Sequence, residues 1–248
     1  MMPTAHVSTS ERDYAGRELE AMAFAANYHR WILEFFQPFL GTRIVEVGAG
    51  AGSFSELLLE REIESLSLVE PSPAMYRLLL NRLAKDNEDS RIRTYNAHFG
   101  DVAADIKSGQ NPDSIIYVNV LEHIADDEGA LRTIHQTLCR GGRIFVLVPA
   151  LHWLYSKFDV ELGHERRYGS AELREKFRSA GFKVLSSRYL DLIGTVPWLI
   201  NYRLLGSTTM RKSAVSFYDK YVIPISRTLE SAIQPPIGKN LILVGERA

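Results

Sequence analysis

The sequence predicts an α/β fold in which a mostly parallel sheet is flanked by helices. Short apolar runs alternate along the chain with segments of helical periodicity, which is the pattern of such a sheet. A glycine-rich loop also lies between the first apolar run and the helical run after it. Open α/β sheets bind ligands at the carboxyl ends of their strands, so this loop predicts a ligand site there.

Seven segments have the length and the apolar pattern of strands. Pro149 ends the fifth because proline cannot donate to a sheet ladder. The sixth alternates between apolar and polar residues, and the seventh lies at the end of the sequence. The predicted strands are Arg43–Val47, Ser65–Val69, Ile92–Tyr95, Ser114–Val118, Arg143–Val148, Lys183–Tyr189 and Asn240–Gly245.

The helices between the strands carry start signals. Ser72 followed by Pro73 predicts a helix with a serine N-cap and proline in its first position. Ser170 predicts a second N-cap by the same reasoning. Residues at helical spacing are expected to face the sheet: Met75, Leu78, Leu79 and Leu83 in one helix, Leu131, Ile134 and Leu138 in another, Leu173 and Phe177 in a third.

Three segments fall outside this alternation and define the predicted organisation. Residues 1–40 are expected to form an N-terminal helical cap or lid. Residues 41–189 form the core, and residues 150–169, here called the lid segment, follow its fifth strand. Residues 190–239, here called the insertion, are helical and are expected to form a cap or a dimer surface. Residues 240–248 add the last strand.

Composition excludes several classes of protein. The net charge of −1 gives no general attraction to nucleic acid or to an anionic membrane. Cys139 is the single cysteine, which excludes a disulfide framework and argues against a thiolate metal site, so no metal is predicted. The apolar stretch 190–205 is interrupted by polar residues and is shorter than the roughly 20 residues of a spanning helix. We therefore expect a cytoplasmic monomer or homodimer.

The loop after the first strand has the chemistry of a nucleoside cofactor site. Gly48, Gly50 and Gly52 let the backbone turn tightly and lie close to a ligand. Glu70 ends the second strand roughly twenty residues on, where a carboxylate accepts ribose hydroxyls. Glu46, two residues before the first glycine, points into the loop, where its charge would repel the pyrophosphate of a dinucleotide but is compatible with a cationic methyl donor. The glycine spacing also departs from the dinucleotide pattern.

Four motifs in this order resemble those of class I S-adenosylmethionine-dependent methyltransferases: 45–55, the Glu70 turn, 118–124 and 138–145. The resemblance covers about residues 40 to 190. It implies a Rossmann-like sheet of seven strands with the last one antiparallel, and S-adenosyl-L-methionine as cofactor with S-adenosyl-L-homocysteine as product. The implied cofactor contacts are Glu46, Gly48, Gly50 and Gly52 for the methionine part, Glu70 and Pro71 for the ribose, Ala97 and His98 near the adenine, and Asn119 and Val120 by their backbone.

Two residues are predicted to act in catalysis. His123 follows the fourth strand, close to the expected position of the methyl group, and is a candidate base or acceptor contact. A histidine that only bonds backbone at the start of a helix remains the alternative. Tyr14 precedes the first long helical run, and an N-terminal segment of this kind is expected to close over the cofactor.

The lid segment is predicted to bind the acceptor. It contains two arginines, a histidine and several acids, and some of the basic groups are expected to pair with Asp159 or Glu165. The string 163–168 also resembles a subgroup of these methyltransferases with a Gly-His-x-Arg-Arg-Tyr lid. A solvated turn without function remains the alternative. The predicted acceptor contacts are Tyr14, Trp153, His164, Arg167 and Tyr168, with Arg166 as a further candidate.

The aromatic residues of the three outer segments favour a small, planar heteroaromatic acceptor that is methylated on nitrogen or oxygen. Residues 10–14, the lid segment and the overall length are similar to N-methyltransferases of azapteridine (toxoflavin) biosynthesis, a secondary metabolic route. That similarity implies transfer to a ring nitrogen. The alternatives are a lipid-linked or sugar acceptor and a non-catalytic protein that retains the cofactor pocket. Nucleic acid is disfavoured by the charge.

Overall fold

A computed structural model describes residues 25–85 and 89–248 of the chain. Seven strands form one sheet in the order β3-β2-β1-β4-β5-β7-β6. Neighbouring strands from β3 to β5 are parallel, and β7 runs antiparallel to both β5 and β6. The strands are β1 (Arg43–Val47), β2 (Ser65–Val69), β3 (Ile92–Tyr95), β4 (Ser114–Val118), β5 (Arg143–Pro149), β6 (Phe182–Leu190) and β7 (Asn240–Arg247).

This sheet confirms the predicted fold class and the antiparallel last strand. The first four strands have the predicted bounds, and β5, β6 and β7 extend the predicted ones by one or two residues at an end. The helices of the core are α1 (Ala26–Phe36), α2 (Ser53–Leu59), α3 (Pro73–Arg82), α4 (Phe99–Gln110), α5 (Asp127–Thr137), α6 (Lys157–Glu161) and α7 (Ser170–Ser179).

Apolar side chains cover both faces of the sheet. One face packs against α4, α5 and α7, and the other packs against α1, α2 and α3. Adjacent residues of β1 point to opposite faces, so Ile44 enters one layer and Val45 the other, and both are fully buried. This three-layer arrangement leaves the carboxyl ends of β1 to β5 at one edge of the sheet.

The described part of the predicted N-terminal cap covers a face of the sheet. Ile32 and Phe36 of α1 are fully buried, and the Phe36 ring lies 5.2 Å from that of Phe145 in β5. Residues 1–24 lie outside the described residues, so the expected closure of that segment, with Tyr14, stays a prediction.

Two details of the predicted helices are wrong. Leu78 was expected to face the sheet but is 38% exposed. Met75 and Leu79 form the buried stripe of this helix, and Leu78 lies beside that stripe and points away from it. Ser170 is the first residue of α7, and Gly169 is the N-cap, whose backbone N–H donates to Glu172 at 3.2 Å. The predicted N-cap at Ser72 is confirmed, since its hydroxyl accepts from Met75 N.

The insertion is helical, as predicted. It comprises α8 (Leu192–Trp198), a π-helical turn (Leu199–Leu204), α9 (Lys212–Phe217), a second π-helical turn (Tyr218–Val222) and α10 (Ile223–Ala232). Pro197 lies within α8 and does not end it; the backbone changes to π geometry directly after it. Within the described residues, no helix has the length and the apolar content needed to cross a membrane.

Candidate active site

The glycine loop leaves β1 with three residues in the left-handed region, where side chains are strained. Gly48, Gly50 and Gly52 have φ angles of 72°, 56° and 83°. A Cβ added at Gly48 would overlap Cγ2 of Val120, so the loop lies directly against the chain that follows β4. A Cβ at Gly52 would stand 2.8 Å from Leu79 of α3. Glycine is therefore required at both places by conformation and by space.

Gly50 differs from the other two glycines because no atom lies within 4 Å of where its Cβ would stand. The loop thus presents bare backbone to open space just before the N-terminus of α2. Bare backbone with an open approach is what a loop needs for a nucleoside cofactor to lie close against it. These residues fit the adenosylmethionine that the motifs imply.

Glu46 lies beneath the loop and is buried. Its carboxylate accepts a 2.6 Å hydrogen bond from the hydroxyl of Ser55 in α2. Burial raises the pKa of Glu46 to about 8; the Ser55 hydrogen bond opposes this shift, and nearby Glu70 adds to it. A carboxylate in this state gains from a cationic partner, which the ammonium of the cofactor would supply.

Glu70 connects the glycine loop to the turn after β2. Its two oxygens accept 2.8 Å hydrogen bonds from the backbone N–H groups of Gly50 and Ser72. Burial raises the pKa of Glu70 above its ordinary range, against the effect of those two bonds. Asn96, at the end of β3, donates to the Glu70 carbonyl at 2.8 Å. Each carboxylate oxygen keeps a second lone pair for a ribose hydroxyl.

The remaining predicted cofactor contacts lie at the same edge of the sheet. Ala97 and His98 follow β3, and His98 is exposed at the N-cap of α4. Asn119 follows β4 with a φ angle of 53°, a strained value that asparagine tolerates better than most residues, and its N–H donates to Leu147 at 2.9 Å. Pro71 follows Glu70 in the turn. Their roles toward the cofactor stay predictions.

Two histidines meet beyond the end of β4. Glu122 and His123 belong to a 3₁₀ turn (Leu121–His123), and His164 comes from the lid segment 41 positions later. The two imidazole rings have centroids 4.8 Å apart. Burial, and next the charge of His164, lower the pKa of His123 to about 4. His123 is therefore neutral near pH 7, the form that accepts a proton or binds a metal ion.

The lid segment is organised around one buried carboxylate. Asp159 pairs with Nη2 of Arg167 at 2.8 Å, contacts Nδ1 of His164 at 3.0 Å, and accepts hydrogen bonds from Ser156 N and Oγ at 2.9 Å. Burial raises the pKa of this carboxyl, but its bonds to His164 and Arg167 outweigh that effect and hold the pKa below its usual value. The expected pairing of Asp159 with basic groups of the lid is confirmed.

Arg167 and Tyr168 are buried within the fold. The Arg167 guanidinium lies 4.7 Å from the ring centroid of Trp198, and its Nη1 donates to Ala150 O. The Tyr168 hydroxyl donates to Asp127 at 2.9 Å. Both side chains thus have partners inside the protein that account for their burial, and contact of either with an acceptor stays a prediction.

The other predicted acceptor contacts are more accessible. Trp153 is 51% exposed. His164 is partly buried beside His123. Arg166 pairs with Asp127 at 2.9 Å and donates to Ala125 O. The structure thus brings His123 and His164 together, with Trp153 on the surface of the same segment.

Sequence reasoning missed Ser55, Asn96 and Asp127. Each is hydrogen-bonded to a predicted site residue: Ser55 to Glu46, Asn96 to the carbonyls of Glu70 and Pro71, and Asp127 to Tyr168. Asn96 could have been found as a polar residue at a strand end. Nothing in the sequence distinguishes Ser55 from an ordinary helical serine, since its partner is chosen by packing.

A family model described as a methyltransferase domain matches residues 16–187 of the chain. This range covers the glycine loop, the Glu70 turn, the end of β4 and the whole lid segment. It ends within β6, so the insertion and β7 lie beyond it. No curated protein sequence matches the chain at a significant level.

Solved structures with the same fold are numerous and distant in sequence. A S-adenosylmethionine-dependent methyltransferase from Archaeoglobus fulgidus has a TM-score of 0.60 at 14% identity, covering 92% of this chain and 98% of its own. A Mesorhizobium loti methyltransferase of the same description has a TM-score of 0.55 at 14% identity, covering 86% and 96%. The Burkholderia thailandensis 1,6-didemethyltoxoflavin-N1-methyltransferase, bound to 1,6-didemethyltoxoflavin and S-adenosylhomocysteine, has a TM-score of 0.56 at 16% identity, covering 94% and 83%.

Proposed function

We propose a function for this chain from one premise: it belongs to the methyltransferase-domain family and is an S-adenosylmethionine-dependent methyltransferase. The cofactor supplies an electrophilic methyl group on a sulfonium. The protein must hold that group in line with an acceptor atom, and such positioning supplies much of the acceleration. Family membership favours catalysis over the alternative of a protein that only retains the cofactor pocket.

The proposed cofactor site is the edge of the sheet around the loop after β1. Glu46, Gly48, Gly50 and Gly52 would hold the methionine part, and Glu70 with Pro71 would hold the ribose. Ala97 and His98 would flank the adenine, and Asn119 and Val120 would contribute backbone. The support is the open space at Gly50 and the burial of Glu46, which favours a cationic ligand.

The acceptor is proposed to be a small molecule methylated on nitrogen or oxygen beside His123. The observation that supports this is the position of the two histidines. Val120 packs against Gly48, so the turn that carries His123 begins beside the cofactor loop. A neutral imidazole there can accept the acceptor's proton. Acidic ring N–H groups need little help from a base.

A planar heteroaromatic acceptor, including one of the toxoflavin type, is the finer form of this proposal. Its support is the resemblance of the lid string and the likeness in fold to the Burkholderia enzyme. The test is a panel of acceptors assayed by S-adenosylhomocysteine release. We expect turnover with fused pyrimidine-triazines, and a KM that rises at Trp153→Ala more than at the exposed control Val160→Ala. Turnover confined to lipid-linked acceptors would contradict the proposal.

One observation favours the second candidate, a lipid-linked acceptor at a membrane surface. Ten of the fourteen large hydrophobic side chains exposed among the described residues lie in the insertion. Four of them, Phe217, Tyr221, Ile225 and Leu229, repeat every fourth position. Such a stripe lies along one side of a helix, as in helices that bind at a bilayer surface.

The charges of the insertion support the same candidate. Its three acids, Asp191, Asp219 and Glu230, are all buried. Every exposed charged residue in it is basic, and these are Arg203, Arg211, Lys212, Lys220 and Arg227. Basic groups around an exposed apolar stripe are suited to an anionic lipid headgroup region. The near-neutral charge of the whole chain conceals this local excess.

Flotation with vesicles of anionic and of neutral lipid separates the two candidates. A membrane-surface enzyme should float with anionic vesicles, and Phe217→Ser with Ile225→Ser should reduce the bound fraction several-fold. Val160→Ser, exposed but in the lid segment, is the matched control. No flotation with either lipid would remove the second candidate. A cytoplasmic location, a monomer or homodimer and the absence of a nucleic-acid partner stay proposals.

A further inference from the structure

Three metal-ligating side chains converge beside the end of β4. They are Glu122 and His123 of the 3₁₀ turn and His164 of the lid segment. Their ligand atoms, a carboxylate oxygen and one ring nitrogen from each histidine, all lie within 4.8 Å of one another. Nε2 of His164 is 3.9 Å from Oε1 of Glu122. Residues 41 positions apart are thus brought to one point by the fold.

The carboxylate of Glu122 is the group that needs explanation. Its side chain is fully buried, and neither oxygen accepts a hydrogen bond from another described residue. An ionised carboxylate without hydrogen bonds is costly inside a protein, and in folded proteins buried charges are paired or bind metal ions.

Both histidines are oriented through their Nδ1 atoms. Nδ1 of His123 contacts the carbonyl of Gly163 at 3.2 Å, and Nδ1 of His164 contacts Asp159 at 3.0 Å. An Nδ1–H that donates to oxygen leaves the lone pair on Nε2 of the same ring. Ligating histidines usually have this outer contact to a carbonyl or a carboxylate, which fixes the ring and raises its basicity.

The outer contact of His164 is itself held in place. Asp159 is fully buried and is bound by Arg167 and by Ser156. A histidine fixed by a carboxylate also occurs where the ring serves only as a general base. Glu122 distinguishes the two cases, because a base needs one orienting carboxylate and gains nothing from a second one that lies 3.9 Å from its ring without a hydrogen bond.

We propose that Glu122, His123 and His164 bind a divalent transition-metal ion through one carboxylate and two Nε2 atoms. Two imidazoles favour zinc, iron, cobalt or nickel over magnesium and calcium, which prefer all-oxygen sites. A zinc ion with bonds of about 2.1 Å holds its ligand atoms roughly 3 to 3.5 Å apart. Side-chain movements of about 1 Å would bring the three ligand atoms from their present separations to these distances. Three protein ligands leave one coordination position open.

The open position gives the acceptor a chemical class, and this step rests on the proposed function. A bound divalent ion polarises an oxygen ligand and lowers its pKa, so with the metal bound the ion takes the place of the base role proposed for His123. The matching acceptor carries a hydroxyl or an enolisable carbonyl beside the atom to be methylated. The ion would compensate the charge of Glu122 in the same place.

Direct metal binding tests the site without reference to turnover. The purified chain, stripped with a chelator, is titrated with Co²⁺ followed by its visible absorption, and then with Zn²⁺ in competition. We expect one equivalent of metal per chain. Glu122→Gln, His123→Asn and His164→Gln should each weaken binding by at least tenfold. His152→Gln is the matched control, because His152 forms a similar pair with Glu172 at 2.9 Å on the surface, and no third ligand joins them among the residues that the structure describes.

Thermal melting without metal shows whether each variant is folded. If Glu122→Gln fails to fold, the test rests on His123→Asn, because the His123 side chain is not fully buried. Absence of a saturable site would overturn the proposal, and so would binding that survives His123→Asn and His164→Gln. Stoichiometric metal binding without S-adenosylhomocysteine release from any acceptor would support the metal site and count against the proposed function alone.

Discussion

Alanine at Gly48 and alanine at Gly50 test two different demands on the loop after β1. At Gly48 the new Cβ overlaps Cγ2 of Val120, whereas Cβ of Val120 lies at an ordinary 3.6 Å. At Gly50 the new Cβ meets no protein atom. Gly48→Ala should therefore damage folding, and Gly50→Ala should damage binding of the cofactor with little effect on folding.

The magnitudes follow from the two geometries. A left-handed φ costs an alanine about 1–2 kcal/mol, offset by about 0.4–1 kcal/mol from the lower entropy of the unfolded chain. Gly50→Ala should therefore lose roughly 1 kcal/mol of stability. Gly48→Ala adds an overpacking cost of about 1–3 kcal/mol, because Val120 must move. Val120→Ala removes that clash, so in its presence Gly48→Ala should again cost only about 1 kcal/mol.

Urea denaturation of the wild type, of Gly48→Ala, of Val120→Ala and of the double variant measures the coupling free energy between positions 48 and 120. Calorimetry with S-adenosylhomocysteine measures binding, which should weaken by at least tenfold, or about 1.4 kcal/mol, at Gly50→Ala. If Gly48→Ala costs as much with Val120→Ala as without it, the steric reasoning is wrong. Unchanged affinity at Gly50→Ala would mean that the cofactor lies elsewhere.

Three further predictions concern buried polar groups. Asp159→Ala leaves Arg167 buried without its partner and should lower the free energy of unfolding by about 3–5 kcal/mol, which corresponds to a fall in Tm of about 6–20 °C. The control is Glu161→Gln at an exposed position of the same helix, which should change the free energy of unfolding by less than about 0.5 kcal/mol. The pKa of Glu46 is about 8 in the folded protein and 4.5 in the free residue, so between these pH values the folded state binds a proton that the unfolded state has lost. The free energy of unfolding of the cofactor-free protein should therefore fall as the pH rises from about 5 to 8. Glu46→Gln should remove the contribution of Glu46 to this slope, at most about 1.4 kcal/mol per pH unit, in denaturation measured across that pH range. Tyr168→Phe loses the bond to Asp127 and should cost about 1.5–3 kcal/mol in the same assay; a changed KM for the acceptor would support the predicted contact, and an unchanged KM would oppose it.

Most of the fold was predictable because its signals are local. The strand β1 is an apolar run between a short linker and glycines, and Ser72-Pro73 marks the start of α3 whatever the rest of the chain does. The errors have local causes as well. Gly169 and Ser170 compete for the same cap, and only the path of the backbone decides between them.

The candidate site divides in the same way. Gly48, Gly50 and Glu70 could be found from spacing alone, since a strand, a turn and a strand end fix their relative positions. The burial of Glu122, on which its proposed role depends, could not be found from the sequence. Its burial depends on a lid segment that returns from beyond β5 and brings His164 to it.

The sequence by itself determined the order of strands and helices, the glycine loop after β1 and the class of cofactor. Each depends on residue types and short spacings, which act through local backbone preferences and the apolar periodicity. The tertiary structure decided which ionisable groups are buried together, and it exposed only the basic charges of the insertion. Burial and charge pairing join residues far apart in the chain, so their energies depend on distances that spacing along the sequence does not contain.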